Sequence, residues 1–230
     1  MNAVLVGYGE IGRAVAEAFG TAHRITPHDP GSGVHADDAH YDILLVAFGY
    51  SDSFVEDVLA YQERFGPSHT LVFSTVPIGT CRKLDAVHCP VEGKHPDLAQ
   101  SLRMTDKWMG GHDAVCEQFL TDAGFIVRLL ALPEYTEWLK LRSTTLYGVN
   151  IEFARYSKWV CDDLGLDYSA VKEWDAWVNG LYAGLGMPQF TRYLLDPPEG
   201  SKGGHCVTPN ARILAQQYPD PLIDVVGEKR

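Results

Sequence analysis

The first twelve residues constrain the fold more than any other part of the chain. The apolar run NAVLV ends in GYGEIG, with glycines at positions 7, 9 and 12, and the helical pattern RAVAEAF follows. This order of strand, glycine-rich turn and helix is typical of a dinucleotide-binding fold, in which the turn lets the backbone approach a pyrophosphate. Asp29 ends the next strand-like segment, 22 positions after Gly7, where that fold has an acid that binds a ribose.

The same segment predicts which dinucleotide binds. An acid at position 29, without an arginine directly after it, would repel the 2'-phosphate of NADP and therefore favours NAD. The alternative is a glycine-rich turn in an unrelated α/β protein. The residues expected to line the cofactor site are Gly7, Tyr8, Gly9, Glu10, Ile11, Gly12, Asp29, Phe48, Gly49, Ser74 and Thr75.

Strand-like and helical patterns alternate in the first half of the chain. The apolar runs DILLVAF and HTLVFSTV flank the helical segment SFVEDVLAYQERFG, and this alternation predicts a parallel sheet covered on both faces. The connection between Asp29 and Asp42 is short and rich in Gly, Asp and His, so we expect a loop there. Residues 106–111 predict an edge strand, AVCEQFLTDAGF a helix and residues 126–132 a last strand. The expected fold is a Rossmann-type, doubly wound α/β domain over residues 1–132.

A long helical pattern follows over residues 134–164. Pro133 precedes it, Gly165 ends it, and its apolar residues recur at steps of three and four. A helix of about 30 residues is about 45 Å long, more than one small domain covers. We therefore expect residues 133–230 to form a smaller helical domain that dimerises through helix 134–164 and carries a loop around Cys206.

Composition excludes several classes of protein. The net charge of -11, with no run of Lys or Arg, argues against nucleic-acid binding. No apolar run approaches the roughly 20 residues of a membrane span, and the N-terminus lacks the features of a signal peptide. The five cysteines are widely spread without CxxC pairs, which favours a reducing, cytoplasmic location. Histidine and cysteine spacings match no standard zinc pattern, so we predict no metal.

Three later segments resemble the UDP-glucose/GDP-mannose dehydrogenase family. They are STVPIGT (74–80), EWLKLRSTTLYGVNIEFA (137–154) and GGHCVTPN (203–210), and they occur in the family's order. They are similar to its strand-end loop, its central dimer helix and its catalytic cysteine loop. The sequence has no counterpart of the family's C-terminal nucleotide-sugar domain, so the resemblance implies a shortened, divergent member.

The resemblance implies an activity and a set of site residues. The family oxidises a sugar primary alcohol twice with NAD, through a thioester on the cysteine. By position, Cys206 is the nucleophile, Lys140 stabilises the oxyanion and Thr75 helps to place the hydrolytic water. The simplest alignment puts the family's glutamate at Val91, with Glu92 one place away.

Two positions depart from the family pattern. Thr144 stands where the family has an asparagine as second oxyanion donor, and Asn210 stands where it has an aspartate. An amide cannot accept a proton as a carboxylate can. Two hypotheses therefore stay open: an NAD-dependent oxidoreductase acting on an alcohol of a small substrate, such as a sugar or nucleotide-sugar, or a degenerate dinucleotide-binding protein without full activity. The corresponding alternatives for single residues are a structural thiol at Cys206 and a solvated helix lysine at Lys140.

Overall fold

The computed structural model of this chain describes residues 1–93, 97–198 and 204–227, without the side chains of residues 204 and 205. Gly203 of the cysteine segment lies outside the described residues. The chain divides into two compact units, Met1–Lys140 and Leu141–Arg230. The division falls a short way into the long helix that the sequence predicts.

The first unit is built on a seven-stranded sheet. Neighbouring strands pair in parallel except for β5 and β6, and the order across the sheet is β2-β1-β3-β4-β5-β6-β7. The strands are β1 (Asn2–Val6), β2 (Arg24–His28), β3 (Ile43–Val46), β4 (His69–Val72), β5 (Val87–His88), β6 (Lys107–Gly110) and β7 (Val127–Leu130).

Helices cover both faces of this sheet. Alternate strand residues point to opposite faces, so Ala3 and Leu5 join one apolar cluster with Phe19, while Val4 joins a second cluster with Phe54. The predicted doubly wound α/β fold is confirmed. The helices of this unit are α1 (Glu10–Phe19), α2 (Phe54–Phe65), α3 (Thr80–Lys83), α4 (Leu98–Arg103), α5 (Ala114–Asp122) and the start of α6 (Pro133–Leu164).

Some local predictions are confirmed and others are wrong. Between β2 and β3 the described chain contains a 3-10 turn, Pro30–Ser32, rather than a full helix, as predicted. The segment 106–111 is not an edge strand, because β6 lies between β5 and β7. The two-residue strand β5 was not predicted, since so short a strand leaves no periodic pattern to recognise.

The second unit contains helices. The remainder of α6 is followed by α7 (Ser169–Gly184), α8 (Gly204–Gln217) and α9 (Pro221–Gly227). Val207, Ala211 and Val226 form a small buried cluster between α8 and α9. Gly148 of α6 allows their close approach, because a Cβ at that position would lie 2.3 Å from a methyl group of Val226 and 2.7 Å from one of Val207.

Within the described residues, none of the helices combines the length and apolar character that crossing a membrane requires.

The buried histidine of β5 makes stability depend on pH. Burial lowers the pKa of His88 from 6.5 to about 4, so between these values the unfolded chain binds a proton that the folded chain does not. Stability should therefore fall as the pH decreases through this window, by up to about 3 kcal/mol from this residue. Urea unfolding between about pH 7 and 4 should show a shallower pH dependence for His88→Gln than for wild type. The exposed His112→Gln is the control, and equal slopes for His88→Gln and wild type would contradict the assignment.

Candidate functional site

Two of the three glycines in the first turn are required by packing. Gly7 has φ +88°, and a Cβ there would lie 2.7 Å from the backbone nitrogen of Phe48. A Cβ on Gly12 would lie 2.0 Å from the carbonyl oxygen of Gly7. These contacts let α1 and the loop after β3 approach the end of β1.

Gly9 is different, because the protein itself does not require a glycine there. It is exposed at the N-terminus of α1, with φ -73°, and a Cβ at this position would meet nothing within 4 Å. The adjoining residues Glu10 and Ile11 begin the helix, whose first N–H groups favour an anion. A side chain at position 9 would therefore obstruct only a group that arrives from outside.

Asp29 lies beside the same turn. Its Oδ2 accepts a hydrogen bond from the backbone N–H of Tyr8 at 2.8 Å, and its Oδ1 accepts one from Ser32 at 3.3 Å. The carboxylate is half-buried and held in place, at the end of β2.

The strand order brings the predicted cofactor-lining loops to one edge of the sheet. From β1 the chain adds β2 on one side of the sheet, and it then continues on the other side with β3 and β4. Open α/β sheets bind ligands at such a switch point, which here lies between β1 and β3. Phe48 and Gly49 follow β3, and Ser74 and Thr75 follow β4. The Ser74 hydroxyl donates to the carbonyl oxygen of Phe48 at 2.7 Å, which joins the two loops.

The structure brings two predicted catalytic residues, Lys140 and Glu92, together. Lys140 Nζ donates to the carbonyl oxygen of Val91 at 2.6 Å and lies 3.3 Å from Glu92 Oε1. The lysine side chain is only 14% exposed, so it is not a solvated surface lysine. Its role in catalysis stays a prediction.

One turn before Lys140, Glu137 holds the loop after β4. Its carboxylate is fully buried, with Oε2 2.6 Å from the backbone nitrogen of Gly79 and Oε1 2.7 Å from that of Cys81. Burial raises the pKa of Glu137, and the two N–H donors oppose that shift. Sequence analysis missed this residue. The sequence pattern that could have identified it is a stripe of polar residues, Glu137, Lys140 and Thr144, at steps of three and four along the helix.

His88 makes a second connection between this loop and α6. Its Nε2 lies 3.0 Å from the carbonyl oxygen of Ser74 and its Nδ1 lies 2.9 Å from Thr136 Oγ1. A carbonyl can only accept, so Nε2 carries the proton and Nδ1 accepts from the threonine hydroxyl. The nearby charge of Lys140 adds to burial in lowering the pKa of His88.

Cys206 lies in the first turn of α8, so the loop predicted at this residue is wrong. Gly204 and Pro209 are loop signals, but Val207, Ala211 and Leu214 form a buried stripe at helical spacing that outweighs them. The thiol is exposed, whereas the other four cysteines are buried.

The two positions that depart from the family pattern are paired with each other. Asn210 Nδ2 donates to Thr144 Oγ1 at 3.2 Å, and Asn210 is 5% exposed. The amide therefore acts as a donor here, and it has no basic site for a proton.

The predicted catalytic residues are divided between the two units. Thr75, Glu92 and Lys140 belong to the first, and Thr144, Cys206 and Asn210 belong to the second.

Among the residues that the structure describes, no three histidine, cysteine or acidic side chains are grouped so as to hold a metal ion.

Solved structures share this architecture over nearly the whole chain. UDP-D-ManNAc dehydrogenase of Pyrococcus horikoshii matches 99% of the chain with a TM-score of 0.78 at 15% identity, over 67% of its own length. A UDP-glucose dehydrogenase of Pyrobaculum islandicum matches 99% with a TM-score of 0.72 at 17% identity, over 68% of its length. The 3-hydroxyisobutyrate dehydrogenase of Mycobacterium tuberculosis matches 99% with a TM-score of 0.67 at 12% identity, over 91% of its length.

The chain has the fold of these dehydrogenases. It spans about two thirds of the length of the two UDP-sugar enzymes. Comparisons of the sequence with protein-family models and with curated proteins find no match. At these identities the likeness establishes the fold, and it agrees with the family that the sequence motifs resemble.

The exposure of a single thiol leads to a labelling experiment. Iodoacetamide added to the folded protein should modify one cysteine per chain, Cys206, because the other four thiols are buried. Intact-mass and peptide mass spectrometry should show no rapid modification in Cys206→Ser and unchanged modification in the control Cys161→Ser. Rapid labelling of a second cysteine under native conditions would contradict the assignment.

Proposed function

We propose that this protein is an NAD-dependent oxidoreductase of the UDP-glucose/GDP-mannose dehydrogenase type, acting on an alcohol group of a small substrate such as a sugar or a nucleotide-sugar. The single observation that carries the proposal is Gly9, a glycine that the fold does not need, beside the oriented carboxylate of Asp29. A dinucleotide pyrophosphate would approach the backbone there, and Asp29 would accept from a ribose hydroxyl.

The residues present fit this cofactor. The start of α1 offers N–H groups to the pyrophosphate, and the loops after β3 and β4 lie at the same edge of the sheet. The carboxylate at position 29, followed by Pro30, favours NAD over NADP by repelling a 2'-phosphate. Bound NAD would supply the acceptor for the hydride that leaves the carbinol carbon.

Side chains of the protein would form the covalent bond to the substrate and stabilise the negative charge that develops. In this proposal the Cys206 thiolate adds to the carbonyl carbon of the aldehyde formed by oxidation, giving a thiohemiacetal whose oxygen takes up a proton. Lys140, with only 14% of its side chain exposed, would stabilise negative charge that develops on the substrate oxygen before that oxygen is protonated. Glu92, whose Oε1 is 3.3 Å from Lys140 Nζ, would hold the lysine, and Thr75 would position a water.

The Thr144–Asn210 pair favours a second candidate function. Because Asn210 donates to Thr144 and cannot accept a proton, the described part of α8 offers no carboxylate to activate water for thioester hydrolysis. A dinucleotide-binding protein without full dehydrogenase activity would be compatible with this pairing. The two candidates differ at Cys206, since only the enzyme requires that substrate protect this thiol from alkylation.

The nucleotide proposal is tested by a matched pair of glycine variants. Titration with NADH, followed by nicotinamide fluorescence, should give saturable binding to wild type and weaker binding of NADPH. Gly9→Ala should keep the wild-type melting temperature but lose NADH affinity by at least about tenfold, because its Cβ would lie only in the ligand's path. Gly12→Ala should lose both stability and binding, since its Cβ meets the carbonyl oxygen of Gly7. Absence of NADH and NADPH binding in wild type would end the dehydrogenase proposal.

We also propose a homodimer through helix α6. Several large apolar side chains of this helix are exposed in a single chain, and covering such a surface favours association. The rings of Phe153, Tyr156 and Trp159 follow one another along it, with centroids 6.4 Å and 5.8 Å apart. The exposed residues are Tyr135, Trp138, Leu139, Leu146, Tyr147, Phe153, Tyr156, Trp159 and Leu164.

The dimer is tested by placing charge on this surface. Sedimentation velocity should show wild type as a dimer and the double variant Tyr156→Glu/Trp159→Glu as a monomer, because the buried carboxylates would carry a large desolvation cost. Met104→Glu, at a residue 79% exposed in the first unit, is the control and should stay dimeric. A monomeric wild type at micromolar concentration would refute the dimer.

A further inference from the structure

We propose that Glu137 is a positioning residue that holds the loop 74–80 in the conformation needed by the nicotinamide half of the dinucleotide. The inference rests on the proposed function, and Glu137 would act through the loop, because its own carboxylate is fully buried.

The contacts of Glu137 use both carboxylate oxygens on one short segment. Oε2 accepts from the N–H of Gly79 and Oε1 accepts from that of Cys81, at 2.6 Å and 2.7 Å. The side chain is fully buried, and Gly79 is in the left-handed region with φ +89°. A buried carboxylate with two N–H donors is a strong local constraint, because removing either partner leaves an unpaired polar group away from water.

The other end of the loop is attached to the same part of α6. His88 accepts a hydrogen bond from Thr136, the residue before Glu137, and donates to the carbonyl oxygen of Ser74. Residues 74 and 79–81 are therefore both fixed to consecutive residues of the helix. Thr75, the half-buried residue between them that sequence analysis selects, has its position set by these two connections.

The strand order decides which half of the dinucleotide this loop would meet. Asp29 follows β2, and the glycine turn follows β1, so the adenosine half lies toward β2 and the pyrophosphate at β1. The order β2-β1-β3-β4 then leaves the ends of β3 and β4 for the nicotinamide half. The loop held by Glu137 directly follows β4.

An isosteric substitution of Glu137 disrupts these hydrogen bonds without changing the size of the side chain. In Glu137→Gln one carboxylate oxygen becomes an NH2 group, which would face a backbone N–H and replace a hydrogen bond by a contact between two donors. The loop must shift at Gly79 or at Cys81. Glu134→Gln is the matched control, because Glu134 lies one turn earlier on α6 and bonds the side chain of Arg82 rather than a backbone N–H group.

The experiment compares two ligands that share the adenosine half. Dissociation constants for NADH and for ADP, which lacks the whole nicotinamide nucleoside, are measured by calorimetry on wild type, Glu137→Gln and Glu134→Gln. We expect Glu137→Gln to weaken NADH binding by about tenfold or more and ADP binding by less than about twofold, from the loss of a hydrogen bond to a charged group. The control should bind both ligands as wild type does. A role in folding alone would not separate the two ligands.

Each other outcome has a defined meaning. Equal loss of both ligands, or loss of neither, in folded Glu137→Gln would overturn the positioning role. If that variant does not fold, Gly79→Ala decides by the same criterion, because a side chain at φ +89° strains the loop while leaving the carboxylate in place. Failure of wild type to bind either ligand would instead count against the proposed function.

Discussion

The hydrogen bonds of the buried Glu137 carboxylate are the interactions on which the arrangement at the carboxyl end of β4 depends. Removing a carboxylate from water costs several kcal/mol, and here that cost is offset by two backbone N–H donors, from Gly79 in the loop after β4 and from Cys81 in α3. These two contacts therefore stabilise the segment after β4 and the first turns of α6 against each other. Lys140 is one turn further along the same helix, where its Nζ donates to the carbonyl oxygen of Val91 and lies 3.3 Å from Glu92 Oε1.

Glycines set how closely the backbone can pack at the same edge. Gly7 and Gly12 bring the end of β1, the start of α1 and the loop after β3 into direct contact, and any Cβ there would collide with backbone. Gly110 has a comparable role at the end of β6, where a Cβ would lie 2.4 Å from Thr136 Oγ1. Gly9 has no such partner, so packing within the chain does not require a glycine at this position.

The second unit shows how a substitution at one position can be matched at another. The resemblance places an asparagine and an aspartate where this chain has Thr144 and Asn210, and the two replacements bond to each other. An amide donor needs an acceptor, and the threonine hydroxyl supplies one without introducing a buried charge. Sequence analysis identified both departures, but their pairing depends on residues 66 positions apart in the chain.

The sequence by itself determined the doubly wound sheet, the glycine turn with its acid, and the extent of α6, because each is encoded by local periodicity, by glycine and by helix-ending residues. It also selected Lys140 and Glu92, through a resemblance to known motifs. The tertiary structure alone decided that β6 is an interior strand, that Cys206 begins a helix, and that Glu137 and His88 hold the loop after β4. These features depend on contacts between distant segments, where burial and hydrogen-bond satisfaction outweigh local preference, and no local pattern in the chain records them.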